Sequence, residues 1–199
     1  MTYLKDIAMA LSAEQILLAI QKKQADHDER AHRDILLLDT QTRVKHMVLH
    51  FLKYTGKIAE ARRTKDQGVL ERILVDTFII CLATANSLNV SLGEKLGTAK
   101  DFSDLAKNLA ARVSATDLFE EALTRLAITA GKMAKAVESS DHWEKGNFRA
   151  DMEGLVVDLN SAVIGLLGKL SIPDIPAAVK TRWHEIEQKQ IFSRLNEFQ

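Results

Sequence analysis

The sequence is poor in the residues that cross-link or punctuate a chain. Among 199 residues there is one cysteine, Cys81, which excludes an intrachain disulfide framework and a zinc site built on several thiolates. Set in FIICLATA, Cys81 reads as a small apolar core residue and suits a reducing compartment. The two prolines, Pro173 and Pro176, lie close together, and none of the nine glycines forms an Asn-Gly, Asp-Gly or Gly-Gly pair, so tight hairpins have no signal. Charge of one sign is also lacking: 27 Lys plus Arg balance 27 Asp plus Glu, which excludes the basic signature of a general nucleic-acid binder. No stretch approaches the roughly 18 uncharged apolar residues of a membrane span, and MTYLKDIAMALSAEQ lacks the basic and then apolar segments of a signal peptide. A cytoplasmic protein with no membrane partner is expected.

What remains is ordinary globular composition, 46% hydrophobic and 27% charged, enough for one sizeable core or two small ones. The punctuation is helical throughout. Ser12 with Gln15 forms a capping-box pattern and opens a helix over about 13–29, which the polar run QADHDERAHRD ends. Asp39 or Thr40 caps a second helix, about 41–64, with an apolar stripe of Val44, Met47, Val48, Phe51, Thr55 and Ile58. The third, about 69–88, contains ILVDTFIICLATA and is apolar on nearly every face, so it is expected to be buried. Ser91 with Glu94 opens a linker helix, Ser114 with Asp117 opens a long helix to about 139, another helix spans about 149–170, and SIPDIP admits a last one from about Ala177 whose end is expected to fray.

The chain also repeats itself. Laid on AGKMAKA, TGKIAEA places Gly56, Lys57, Ala59 and Ala61 on Gly131, Lys132, Ala134 and Ala136. Laid on EGLVVDLNSAVIGLLGKLSI, ERILVDTFIICLATANSLNV places Glu71, Val75, Asp76 and Leu88 on Glu153, Val157, Asp158 and Leu170. Two helical hairpins in tandem can bury their apolar faces against each other as a four-helix core. The expected organisation is one all-α domain: repeat one over 12–92, a linker helix over 93–113, a diverged repeat two over 114–175, and a C-terminal helix over 176–199.

The run HFLKYTGKIAEARR followed by VLERILVDTFIICLATANSLNVSL resembles the MazG-like all-α nucleoside triphosphate pyrophosphohydrolase family, and EQILLAIQKKQADHDERAH looks like that family's leading helix. The resemblance implies four acidic positions that hold magnesium on a triphosphate, where the ion bridges phosphate oxygens and polarises a water. Carried over, the first motif falls on Lys53, Tyr54 and Lys57 and the second on Arg72, Ile73 and Asp76, so only Asp76 is acidic. In the second copy Ala127, Ile128 and Lys132, then Gly154 and Leu155, take those positions, and Asp158 again stands alone.

The residues themselves bear on how these positions are used. Folding the second and third helices back about Asp66 and Gln67 puts Lys57 level with Asp76, and the second hairpin does the same for Lys132 and Asp158. An aspartate among Ile73, Ile79 and Ile80 is costly to ionise unless paired, so the expectation is an internal ion pair of Asp76 with Lys57 or Lys53, and of Asp158 with Lys132, in place of the metal. His46 and His50, one turn apart, have the spacing of two metal ligands on one helical face, but HMVLH has no intervening glutamate and no evident third ligand. Trp143 and Trp183 read as packing residues. The functional expectation is a MazG-like homologue with degenerate metal acids that binds a nucleotide or a protein, with a homo-oligomer formed through helix packing as a further candidate partner. Two alternatives stay open: an active magnesium-dependent pyrophosphohydrolase using displaced carboxylates (Glu60, Glu71 and Asp76), with magnesium as cofactor only in that case, and a helical interaction module without a ligand. Glu71 stands about 140° around its helix from Asp76 at 3.6 residues per turn.

Overall fold

The computed structural model describes residues 11–142 and 144–189. Side-chain caps set most of the helix starts. At α1 (Ala13–Ala31) the Ser12 hydroxyl accepts from the Gln15 amide while the Gln15 side chain accepts from the Ser12 amide, closing the expected capping box. A short α2 (Arg33–Leu36) follows directly. Asp39 caps α3 (Thr40–Thr64) and Asp66 caps α4 (Gln67–Leu88), and between them Lys65 turns the chain back in the left-handed region at φ 53°. The expected linker helix is in fact two, α5 (Leu92–Leu96) and α6 (Phe102–Ala111), each with its own cap, Ser91 and Asp101. For α7 (Leu118–Asp141) the cap is Asp117, not Ser114. Asn147 caps α8 (Phe148–Lys169), and Asp174 caps α9 (Ile175–Glu187), with Pro176 in its first turn where a missing amide is harmless.

All described secondary structure is helical, and no described helix is long and apolar enough to cross a membrane. The core is a four-helix arrangement in which α3 packs on α4 and α7, and α8 packs on α4 and α7. Lys45, near the start of α3, pairs with Asp141 at the end of α7, and Arg62, near the end of α3, pairs with Glu120 at the start of α7. Equivalent helices of the two hairpins thus run antiparallel, as an approximate two-fold axis across the bundle requires. The repeat register recurs in burial. Met47, Phe51 and Ile58 are buried, as are their counterparts Ala122, Leu126 and Met133, and so are Leu70, Leu74 and Leu82 with Met152, Val156 and Ile164.

The remaining helices cover this bundle. α6 lies across α8, and it can approach closely because a Cβ on Gly165 would stand 2.9 Å from the Leu109 carbonyl oxygen and one on Gly168 2.8 Å from that of Ala106. α1 and α9 both pack on α4 and on each other, which places them over the first hairpin. Among the described residues the second hairpin has no equivalent pair on its outer side, and α6 packs on α8 instead. One buried apolar cluster runs through all of these helices except α2.

Asn160 sits in that cluster with no exposure, and neither its amide nitrogen nor its oxygen has a hydrogen-bond partner. In the repeat register it stands where Phe78 stands. An unpaired buried amide costs roughly 1 to 3 kcal/mol, so Asn160→Leu, close in volume, is expected to raise stability by that order. Chemical denaturation measures it. A loss of stability would mean that the amide is satisfied in solution.

Candidate functional site: a histidine-lined cavity beneath the last helix

The polar half of α1 is where the molecule departs most from its sequence reading. The buried stripe of Ala13, Leu17 and Ile20 continues in register through Gln24 and His27, so polar residues occupy positions that face inward. Gln24, His27 and Asp28 are 1%, 1% and 8% exposed. They are held there by α9. The Trp183 indole donates to Gln24 Oε1 at 2.7 Å, the Gln24 amide donates to Asp28 Oδ1 at 2.8 Å, and His27 Nδ1 donates to Glu187 Oε1 at 2.8 Å. Trp183 also stacks on the His27 ring, with centroids 6.1 Å apart, so it packs as expected and donates a hydrogen bond as well; Trp143 lies outside the described residues.

A second set of groups comes from α3 and α4. Lys53 Nζ donates to His50 Nδ1 at 3.0 Å, which leaves the His50 proton on Nε2, 3.1 Å from His46 Nε2. Asp76 on α4 is gripped by the guanidinium of Arg182 from α9, with Nε to Oδ1 at 2.5 Å and Nη2 to Oδ2 at 3.2 Å. Arg182 reaches on to Glu185 at 2.7 Å, and Glu185 accepts from Arg72 at 2.9 Å.

These groups converge on a cavity of about 340 Å³ between α1, α2, α3, α4 and α9, within the size range of small-molecule sites. Four imidazoles (His27, His32, His46 and His50) line it, with Arg43, Arg182, Asp28, Asp76 and Tyr54, against an apolar wall that includes Met47, Ile79, Ile80 and Ala83. Two polar atoms on its lining are buried without a partner: His27 Nε2 and Arg43 Nε. Burial pushes the Asp28 carboxyl up to about 6, against the Gln24 hydrogen bond and the charge of Arg43. Burial and the neighbouring His27 lower His32, and burial raises the Tyr54 hydroxyl above the usual range. Cys81 is fully buried, and burial likewise raises its thiol, so it is no nucleophile.

The sequence-derived site residues are only partly brought together. The partner of Asp76 is Arg182 rather than Lys57 or Lys53. Both lysines are exposed, and the Lys53 ammonium, lowered by burial and by Lys57, spends its hydrogen bond on His50 and lies 4.6 Å over the Tyr54 ring. Folding back at the turn sets the height of Asp76 on its helix but not the direction in which it points, and α9 occupies that direction. Asp76 is close to inaccessible, with 13% of its side chain exposed. Asp158 is exposed, as is Lys132, and the two line open grooves together without an ion pair within 4.0 Å. Among the described residues no helix covers Asp158 as α9 covers Asp76. Glu60 is exposed and Glu71 accepts only from Gln67, so neither joins Asp76. His46 and His50 do converge through their Nε2 atoms. The residues missed by sequence reasoning are Gln24, His27, Asp28, His32, Arg43 and Arg182; the available signal was the unbroken inward register of α1 past Ile20.

The chain matches no protein-family model, no curated protein and no solved structure.

The site carries a pH signature. Burial, then Lys53, His46 and His32, hold His50 down to about 4 from its ordinary 6.5, and Asp76 opposes them only in part. With the folded value below the unfolded one, the unfolded chain takes the proton first, so stability is whole above about pH 6.5 and is lost as pH falls towards 4, by on the order of 2 kcal/mol after solvent screening. His50→Gln should flatten this segment of the stability profile measured by denaturant unfolding. An unchanged acid slope in the variant would show that His50 is protonated as easily folded as unfolded.

Proposed function

We propose that this chain is a MazG-like nucleotide-binding protein with little or no magnesium-dependent hydrolysis, its ligand seated in the cavity beneath α9. The observation that carries this reading is the commitment of Asp76: the sole acid at the positions that the resemblance assigns to magnesium is neutralised by a bidentate arginine, and its neighbours in those motifs are Lys53, Lys57 and Arg72. A cation at that place would meet positive charge. An anion is favoured instead.

The cavity suits such a ligand in two ways. Arg43 presents a buried Nε that has no partner, and His32 and His46 add ring nitrogens that can donate to phosphate oxygens. The Ile79, Ile80, Ala83 and Met47 wall offers an apolar bed for a base or sugar. The reading as an active pyrophosphohydrolase loses support because Glu60 and Glu71 stand apart from Asp76. Isothermal titration with a panel of nucleoside mono-, di- and triphosphates tests the proposal. Binding without magnesium is expected, weakened at least tenfold by Arg43→Ala, with no pyrophosphate released when magnesium is added. Magnesium-dependent turnover abolished by Asp76→Ala would contradict it, as would failure of every nucleotide to bind at millimolar concentration.

A further inference from the structure

Independently of any nucleotide, the geometry points to a divalent transition-metal site of the zinc, cobalt or nickel class, formed by His27 Nε2, the Asp28 carboxylate and His32 at the junction of α1 and α2. Ligand-capable atoms of these three residues all lie within 4.8 Å of one another. The decisive feature is His27. Its ring is 1% exposed, its Nδ1 is committed to Glu187, and its Nε2 is buried with no partner. A buried ring nitrogen left bare is costly as a structural element, whereas an imidazole whose far nitrogen donates to a carboxylate is how a metal-binding histidine is held in the right tautomer.

The other two donors are prepared in the same sense. Asp28 has one oxygen fixed by Gln24, which is itself fixed by the Trp183 indole, and the second oxygen is left to a ligand. His32 makes no side-chain hydrogen bond among the described residues, and its ring meets that of His27 edge-on at 5.5 Å. It stands between α1 and α2 at φ −138° and ψ 36°, outside helical geometry. A tetrahedral ion at about 2.1 Å from its donors sets them about 3.4 Å apart, so closure by at most about 1.4 Å completes the set. Two imidazoles and one carboxylate favour a borderline transition ion over magnesium or calcium, which prefer an all-oxygen shell. All three residues line the cavity, so the remaining coordination position opens into it and would be taken by water or by an anionic group of a bound molecule.

The test uses the full chain, freed of metal with a chelator, and no nucleotide, so its outcome is separate from that of nucleotide binding. Cobalt(II) is titrated and followed by its visible ligand-field absorption, with zinc as competitor. One equivalent of cobalt is expected to bind and to be displaced by zinc. Asp28→Asn and His32→Ala should each weaken binding at least 100-fold, and Glu187→Gln, which removes no ligand, should weaken it 10- to 100-fold. Far-UV circular dichroism checks the fold of each variant, and Asp28→Asn keeps the side-chain shape should His32→Ala unfold. The double variant His46→Ala, His50→Ala should bind as the wild type does. Absence of stoichiometric cobalt binding, binding that survives Asp28→Asn and His32→Ala unchanged, or binding lost only in the His46, His50 variant would overturn the assignment.

Discussion

The pairing of Arg182 with Asp76 joins residues 106 positions apart and decides where the last helix lies. With α9 held against α4 at that point, its next residues fall over α1: Trp183 reaches Gln24 and Glu187 reaches His27. The cavity exists because of this docking, since α9 closes the side that α1, α3 and α4 leave open. Both partners are nearly buried, at 14% and 13% side-chain exposure. Desolvation on that scale cancels much of the Coulomb gain, so the pair acts chiefly as a positioning device whose loss would strand a charge.

The two copies of the hairpin show what this contact adds. Asp76 and Asp158 occupy matching places in matching sequence, and their helices bury matching apolar faces. One is bound by an arginine under a covering helix, and the other faces solvent in an open groove. The difference comes entirely from what packs outside the four-helix core. Around the covered copy the titratable groups hold one another in place: Lys53 orders His50, His50 meets His46, and the groups on α1 are fixed by α9. The result is a pocket rich in donors with one deeply buried carboxylate, Asp28, whose burial disfavours its charged form.

The core was legible from sequence because hydrophobic periodicity and capping are local. Ser12 with Gln15 marked the start of α1, Asp39 or Thr40 that of α3, where Asp39 is the cap, and the all-apolar face of ILVDTFIICLATA its burial in α4. The tandem match pointed to two equivalent hairpins, and the apolar burial of α3 and α4 recurs in α7 and α8. What was not legible depends on contacts far apart in the chain. QADHDERAHRD has the composition of a solvated helix end, and only the arrival of α9 makes Gln24, His27 and Asp28 interior residues. Helical height can be counted from sequence and points to the adjacent helix for a partner of Asp76, whereas the azimuth of a side chain is set by whatever packs there. Arg182 stands in a segment with no motif around it. Asp117 displaced Ser114 as the cap of α7 because its carboxylate reaches two amides, those of Phe119 and Glu120.

The central claim is that Asp76 is a structural anion committed to Arg182, and a double-mutant cycle on that pair tests it most directly. Asp76→Asn, Arg182→Met and the double variant are compared by denaturant unfolding in the presence of a chelator. A coupling energy of about 1 to 3 kcal/mol is predicted, with each single change costing more than the double one relative to its own partner's removal. A coupling near zero, with Asp76→Asn as stable as the wild type, would contradict the account.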